Sequence, residues 1–160
     1  MRRKLATVIL DHGFTKKLKI AIVRTNYYND LLDNLESYAT NTLMESGVKK
    51  ENIETFTVPG SWEVPLLVQA VAESKKFDAI IAFGVLVKGE THHFTMITNE
   101  VGKALMQTSL DYSIPVAFEI LAVYEKKHAE LRAGKDNYNK GIEAANAVMQ
   151  TIQALQSFKK

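Results

Sequence analysis

The stretch Phe77-Asp78-Ala79-Ile80-Ile81-Ala82-Phe83-Gly84-Val85-Leu86-Val87-Lys88-Gly89-Glu90-Thr91-His92-His93-Phe94 decides the fold of this chain. Between Phe77 and Val87 only Asp78 is polar. A run without alternation suits a strand covered on both faces. Gly89 then turns the chain, Thr91 offers a helix cap, and Phe94, Ile97, Val101, Leu105 and Thr108 recur along one helical face. A buried strand passing directly into a helix is the repeating unit of a parallel α/β sheet.

The same unit recurs on either side. Residues 18–23 read as a short buried strand, followed by Asn29-Asp30 with helix-capping chemistry. Leu32, Leu35, Ala39 and Leu43 then keep helical spacing up to Gly47, a C-terminal breaker. Residues 53–58 form a second strand stopped by Pro59-Gly60. Ser61 is placed to cap the next helix, with Val64, Leu67, Val68, Val71 and Ala72 on its buried side. Residues 115–123 form a fourth strand and residues 125–133 a short helix ended at Gly134. Ile142, Ala145, Met149, Ile152 and Leu155 line a final long helix. This alternation predicts one central four-stranded parallel sheet with right-handed crossovers on both faces. No linker, repeat or low-complexity tract divides the chain. A single domain over residues 1–160 is expected, with an arm at 1–17 and an α/β core at 18–160.

Composition narrows the function classes. With 160 residues the chain can bury a core without a metal or disulfide staple. Twenty basic against eighteen acidic side chains leave a formal charge of +2, too small an excess for a dedicated nucleic-acid binder. There is no cysteine, which removes thiolate metal sites and disulfides. The histidines have no metal-ligand spacing. No apolar run approaches the ~20 residues that span a bilayer. The run from Leu5 to Leu10 is broken by Thr7 and is too short for a signal-peptide core. A cytoplasmic protein with no membrane or nucleic-acid partner is expected.

Ligands of open α/β sheets gather where strands end. The expected exits carry Asn26-Tyr27-Tyr28-Asn29, Pro59-Gly60-Ser61-Trp62-Glu63, Lys88-Gly89-Glu90-Thr91-His92-His93 and the segment from Phe118. Gly89-Glu90-Thr91 could grip a phosphate through backbone amides at a helix's positive end, or could be an ordinary turn with Thr91 as cap. An imidazole at such a helix start is suited to accept a proton, so one of His92 and His93 could be a general base. Either could equally be a surface histidine. The two point about 100° apart on a helix and cannot share one site. Glu63 reads as a capping carboxylate or a ligand contact. Trp62 reads as core, interface or stacking surface, and Tyr28 as a candidate stacker on a flat ring. Arg132, Lys140 and the pair Lys126-Lys127 read, alone, as solvated charges.

Taken in order, several strings resemble the lumazine synthase family. They are Tyr28-Asn29-Asp30, Val58-Pro59-Gly60-Ser61-Trp62-Glu63-Val64-Pro65 and Gly84-Val85-Leu86-Val87-Lys88-Gly89-Glu90-Thr91-His92-His93-Phe94. Further matches are Pro115-Val116-Ala117-Phe118, Leu131-Arg132-Ala133-Gly134 and Asn139-Lys140-Gly141-Ile142-Glu143-Ala144-Ala145. The likeness runs from about Leu18 to the C-terminus.

The resemblance implies a flavodoxin-like three-layer α/β/α sandwich, whose N-terminal segment pairs with a neighbouring subunit. It implies a transferase of riboflavin biosynthesis that condenses 5-amino-6-(D-ribitylamino)uracil with 3,4-dihydroxy-2-butanone 4-phosphate. The products are 6,7-dimethyl-8-ribityllumazine, phosphate and water, and no metal or organic cofactor is required. By that likeness His93 is the acid–base group, with Lys140 and Arg132 as further catalytic residues. Tyr28, Ser61, Trp62, Glu63, Val87, Lys88 and Phe118 bind the pyrimidine and its ribityl chain. Gly89, Glu90, Thr91 and Arg132 hold the phosphate, with the Glu90 side chain turned away from it. Phe118, Arg132 and Lys140 serve a neighbouring subunit's pocket, so pentamers are expected. A sixty-subunit icosahedral shell that associates with riboflavin synthase is the favoured larger assembly, ahead of a free pentamer or a decamer.

Three places depart from the family pattern. Tyr27 stands for an arginine, Glu119 for a glycine, and Leu121-Ala122-Val123-Tyr124 with His128 for a more polar strand exit. The rival readings are a flavin- or lumazine-binding protein with weak catalysis and a shell-forming paralogue.

Overall fold

The computed structural model describes residues 11–158. A helical turn, α1 (His12–Thr15), leads into β1 (Ile20–Thr25) and α2 (Asn29–Glu45). A single 3₁₀ turn, Lys50–Asn52, precedes β2 (Ile53–Val58). Then follow α3 (Val64–Glu73), β3 (Ala79–Val87), α4 (His93–Tyr112), β4 (Val116–Val123), α5 (Lys126–Arg132) and α6 (Lys140–Gln156). The four strands lie in the order β2-β1-β3-β4, all parallel. Ile20 pairs with Ile53 on one side and Ala79 on the other, and Ile80 pairs with Val116. Sequence and structure agree on the flavodoxin-like three-layer α/β arrangement. The expected pairing of the N-terminal segment with a neighbour falls mainly on residues 1–10, outside the described residues.

Two cores follow from strand alternation, since neighbouring side chains point to opposite faces. On one face Ile20 and Ile22 of β1, Ile81 and Phe83 of β3, and Leu121 and Val123 of β4 meet α2, α5 and α6. Leu32, Leu35, Ala129, Ala145 and Met149 are among the helical residues buried there. On the other face Ala21, Val23, Ile80, Ala82 and Ile120 meet α3 and α4 through Val64, Val68, Ile97, Val101 and Leu105. The first seven residues of β3 are all buried, which is why that stretch shows no polar alternation.

The helix starts differ from the capping pattern expected of the sequence. Asn29 does not cap α2. Tyr28 takes that place in a left-handed conformation (φ 61°, ψ 51°) with no capping side chain. Ser61 does not cap α3, which begins three residues later at Val64 after a turn, with Pro65 in its first turn. Thr91 does not cap α4, whose N-cap position is His92. The amides there were expected to be met by local hydroxyls or carboxylates, but the chain makes tight turns instead. Gly47 closes α2 as expected. At φ 96° its amide reaches the carbonyl of Met44 and the Val48 amide that of Leu43, the paired bonds of a Schellman cap.

Helix α6 lies directly on the backbone of α2. A Cβ built at Gly141 would stand 2.1 Å from the carbonyl oxygen of Leu35 and 3.0 Å from the amide nitrogen of Ala39. Only a glycine permits that approach. Asn139 caps α6 by accepting from the Gly141 amide at 2.7 Å, while its own amide group donates to the Gly134 carbonyl at 2.8 Å. The start of α6, and Lys140 with it, is thereby fixed. Gly141→Ala should destabilise the fold by at least ~3 kcal/mol, the upper end of overpacking costs, because backbone rather than a flexible side chain must yield. Urea denaturation of the variant beside the parent protein measures this.

Candidate active site

The strand order turns back between β1 and β3, the position at which an open parallel sheet forms its ligand crevice. The exits of β1, β2 and β3 deliver Tyr28, Ser61-Trp62-Glu63 and residues 88–93 to that edge. The Ser61 loop comes close because β3 has no side chain at Gly84. A Cβ there would meet Ile120 Cδ1 at 3.0 Å, Ser61 Oγ at 3.1 Å and Thr25 Cγ2 at 3.2 Å. Ser61 is therefore buried against the sheet, while Trp62 stands 57% exposed and Glu63 is exposed beside it.

The entry of α2 is held from below by Arg24, a buried guanidinium near the end of β1. Its Nη1 donates to Asp33 Oδ1 and Glu36 Oε2, both at 2.7 Å, and its Nη2 donates to Asn29 Oδ1 at 3.1 Å. Burial lowers the pKa of Arg24, but hydrogen bonds and attraction from Glu36 and Asp33 raise it net above its ordinary value, so it stays cationic. Thr55 Oγ1 donates to the second oxygen of Glu36 at 2.6 Å, tying β2 into the same network. This network orients the turn that carries Tyr28. Nothing in the sequence pattern marked Arg24, because a charged residue within a buried strand is legible only once its partners on α2 are placed.

Beyond β3, Lys88 donates its amide to the Val123 carbonyl at 2.8 Å, which continues the sheet past the end of the strand. The ammonium of Lys88 lies 5.0 Å from the ring centre of Tyr124, and the Phe94 ring packs on the same tyrosine at 6.4 Å. Lys126 lies 5.9 Å from the ring of Tyr28. Tyr124 and Lys126 thus join the rim. Lys126 had read only as a solvated charge, whereas its place just after β4 puts it at the carboxyl edge. His93 is exposed at the first position of α4. Neither His92 nor Thr91 caps this 20-residue helix with its side chain, so the first-turn amides face the rim as donors.

Phe118, Arg132 and Lys140 form a different group. Phe118 does not follow the fourth strand. It is the third residue within β4, paired with Ala82. Val123, the last residue of the strand, lies five positions further on, about 16 Å at the rise of a strand. The edge position leaves it 44% exposed. Arg132 ends α5 and donates to the His128 carbonyl at 3.1 Å. Lys140 opens α6 and pairs with Glu143. Glu119 lies in their field. Burial pushes its carboxyl up to about 7, with Lys140 and Arg132 pulling it down and Glu143 pushing it up. The residues marked by sequence therefore separate into a rim group at the strand exits and an edge group along β4.

A groove of ≈ 550 Å³ opens between α3 and α4, lined by Trp62, Leu66, Val101, Ala104 and Tyr112 among others. It adjoins the rim through Trp62 alone. Leu66, Met106 and Leu110 on the same two helices are 76%, 63% and 65% exposed. Among the described residues no cluster of three or more acidic or histidine side chains is placed to hold a metal. No helix of the described chain is long and apolar enough to cross a membrane.

Comparison with known proteins agrees with this geometry. The model of a family described as 6,7-dimethyl-8-ribityllumazine synthase matches residues 17–156. Proteins of that name from two strains of Nitratidesulfovibrio vulgaris, DP4 and Hildenborough, are each 38% identical over 141 residues, covering 88% of this chain and 90% of theirs. One from Desulfovibrio desulfuricans is 37% identical over the same shares. These likenesses favour a synthase over a weakly catalytic binding protein or a shell paralogue. With a match spanning nearly the whole α/β core, the chain belongs to the 6,7-dimethyl-8-ribityllumazine synthase family.

Proposed function

We propose that the chain is a single catalytic domain, with an arm at 1–17 and a core at 18–160, that joins 5-amino-6-(D-ribitylamino)uracil to 3,4-dihydroxy-2-butanone 4-phosphate. The pyrimidine's amine attacks the ketone and water leaves as the imine forms. Phosphate is then expelled, the enol rearranges, and closure of the second ring releases another water. Each step moves protons between neighbouring atoms, so one positioned imidazole and correct alignment supply the catalysis without a cofactor.

The observation that carries this reading is the junction of β3 and α4. His93 opens a long helix whose N-cap lacks a side-chain hydrogen bond, five residues after Lys88 at the reversal of the sheet. In this reading His93 is the acid–base group, and Gly89, Glu90 and Thr91 present backbone and hydroxyl donors to phosphate. The Glu90 side chain points away from the anion. Tyr28 stacks on the pyrimidine. Trp62, Glu63 and Ser61 contact the ring and the ribityl chain, and Val87 and Lys88 border the pyrimidine edge.

The position of Phe118 supports completion of the site by a second subunit. About 16 Å of strand separates Phe118 from the exit of β4, more than one small substrate bridges. Phe118, Arg132 and Lys140 would then close a neighbour's pocket, with Arg132 clamping its phosphate. The groove between α3 and α4 and the exposed Leu66, Met106 and Leu110 are suited to contact between subunits in a pentamer. Twelve pentamers would form a sixty-subunit icosahedral shell able to associate with riboflavin synthase. A cytoplasmic site of action suits the pathway.

His93→Ala should lower kcat on the order of tenfold, with little change in KM, because positioning supplies much of the acceleration. Unchanged kcat in a steady-state assay of lumazine formation would remove His93 from the chemistry. Arg132→Ala should raise KM for the phosphate substrate about tenfold or more and leave KM for the pyrimidine nearly unaltered. Sedimentation velocity should give a pentamer or a multiple of it. A monomer with full activity would overturn the shared site.

A further inference from the structure

Glu119 is unusually placed for a carboxylate. It projects from β4 on the face of Ala117 and Leu121, which belongs to the core formed with α5 and α6. Both of those helices pack on β4. Lys140 and Glu143 of α6 and Arg132 of α5 act on it electrostatically, without direct ion pairing. On β3 its register partner is Phe83, which does not titrate, and α4 packs the opposite face of the sheet. Lys140 is already paired with Glu143, three residues on. Glu119 is therefore the second carboxylate set against two cations.

We propose that Glu119 is an affinity-setting residue for the phosphate substrate, an internal carboxylate that competes with the phosphate for Arg132 and Lys140. The inference rests on the reading of Arg132 as the phosphate clamp and of Lys140 as a cation closing the same pocket. A carboxylate and a phosphate drawn to the same guanidinium and ammonium also repel one another. Ionised Glu119 thus weakens phosphate binding, and protonated Glu119 leaves both cations to the substrate. Since burial holds the carboxyl near neutrality, the change falls in the physiological range. The sign is fixed. Below about pH 7 Glu119 is neutral and the clamp is strong, and above it the carboxylate neutralises part of the clamp. By linkage, phosphate binding should draw a proton onto Glu119.

The test compares the assembled full-length enzyme with Glu119→Gln, which keeps the shape and removes the charge. KM for 3,4-dihydroxy-2-butanone 4-phosphate and the inhibition constants of inorganic phosphate and sulfate are measured at pH 6 and pH 8. The ratio of parent to variant at each pH cancels the ligand's own ionisation. At pH 8 the variant should bind all three anions about three- to tenfold more tightly. At pH 6 the ratio should fall toward one, while KM for the pyrimidine is the same in both proteins at both pH values. That dependence on substrate and pH is not expected of a merely structural residue. If Glu119→Gln does not assemble, Glu119→Ser removes the same charge with less bulk and must give the same pattern. Equal anion affinities at pH 8, with Arg132→Ala still raising the KM of the phosphate substrate, would overturn the competitor role and leave the clamp standing. An unchanged KM in Arg132→Ala would overturn the clamp and this inference together.

Discussion

Parallel strands cannot be joined by a tight turn, and most of this molecule follows from that constraint. Each strand must be followed by a helix that returns the chain to the sheet's other end. Every strand exit therefore opens a loop at one edge, and every helix begins near it. The sheet reverses its order between β1 and β3, so their loops diverge to opposite faces and leave space between them. Backbone amides at helix starts, and the aromatic and charged residues of the loops, collect there without needing to be close in sequence. The chemistry belongs to these loops and the stiffness to the two cores beneath them.

Charge is handled differently in the two groups. At the rim the cations are exposed and lie over aromatic rings, with Lys88 on Tyr124 and Lys126 on Tyr28. They face solvent or a ligand at little desolvation cost. Below the rim Arg24 is buried with both terminal nitrogens held by carboxylates and an amide oxygen, which suits a fixed support. The β4 group lies between these cases. There two cations and two carboxylates share a half-buried edge, and an arriving anion would alter the balance among them.

The architecture was legible because it is written in periodicity. The apolar run of β3, the helical spacing of α2 and α6 and the glycine at the end of α2 each have one cheap structural solution. The helix starts were misread for the opposite reason. Ser61, Thr91 and Asn29 all have capping chemistry, but Ser61 is drawn down against Gly84, and Asn29 is engaged by Arg24. Tertiary partners outbid the local bond, and no short window of sequence reveals them. The candidate site was legible as a set of strings at strand exits. Its division into rim and edge groups was not, because Phe118 was expected at a strand exit although the strand read over residues 115–123 holds it near its start. Lys126, Tyr124 and Arg24 were missed because their roles depend on rings and carboxylates supplied by other elements.

Gly84 has a further consequence. It lies in the buried stretch of β3, and the space above its Cα is filled by Ser61 from the loop that carries Trp62 and Glu63, by Ile120 from β4 and by Thr25 from β1. One absent methyl group thus holds three strands and a surface loop in a common fit. Variation in that loop is answerable to the interior. A bulkier residue at position 61 would press on β3, and even a methyl group at position 84 would require Ile120, Ser61 and Thr25 to give by a few tenths of an ångström. Loop and strand should therefore change together in related sequences, with substrate contacts inherited as part of the core rather than grafted freely onto it.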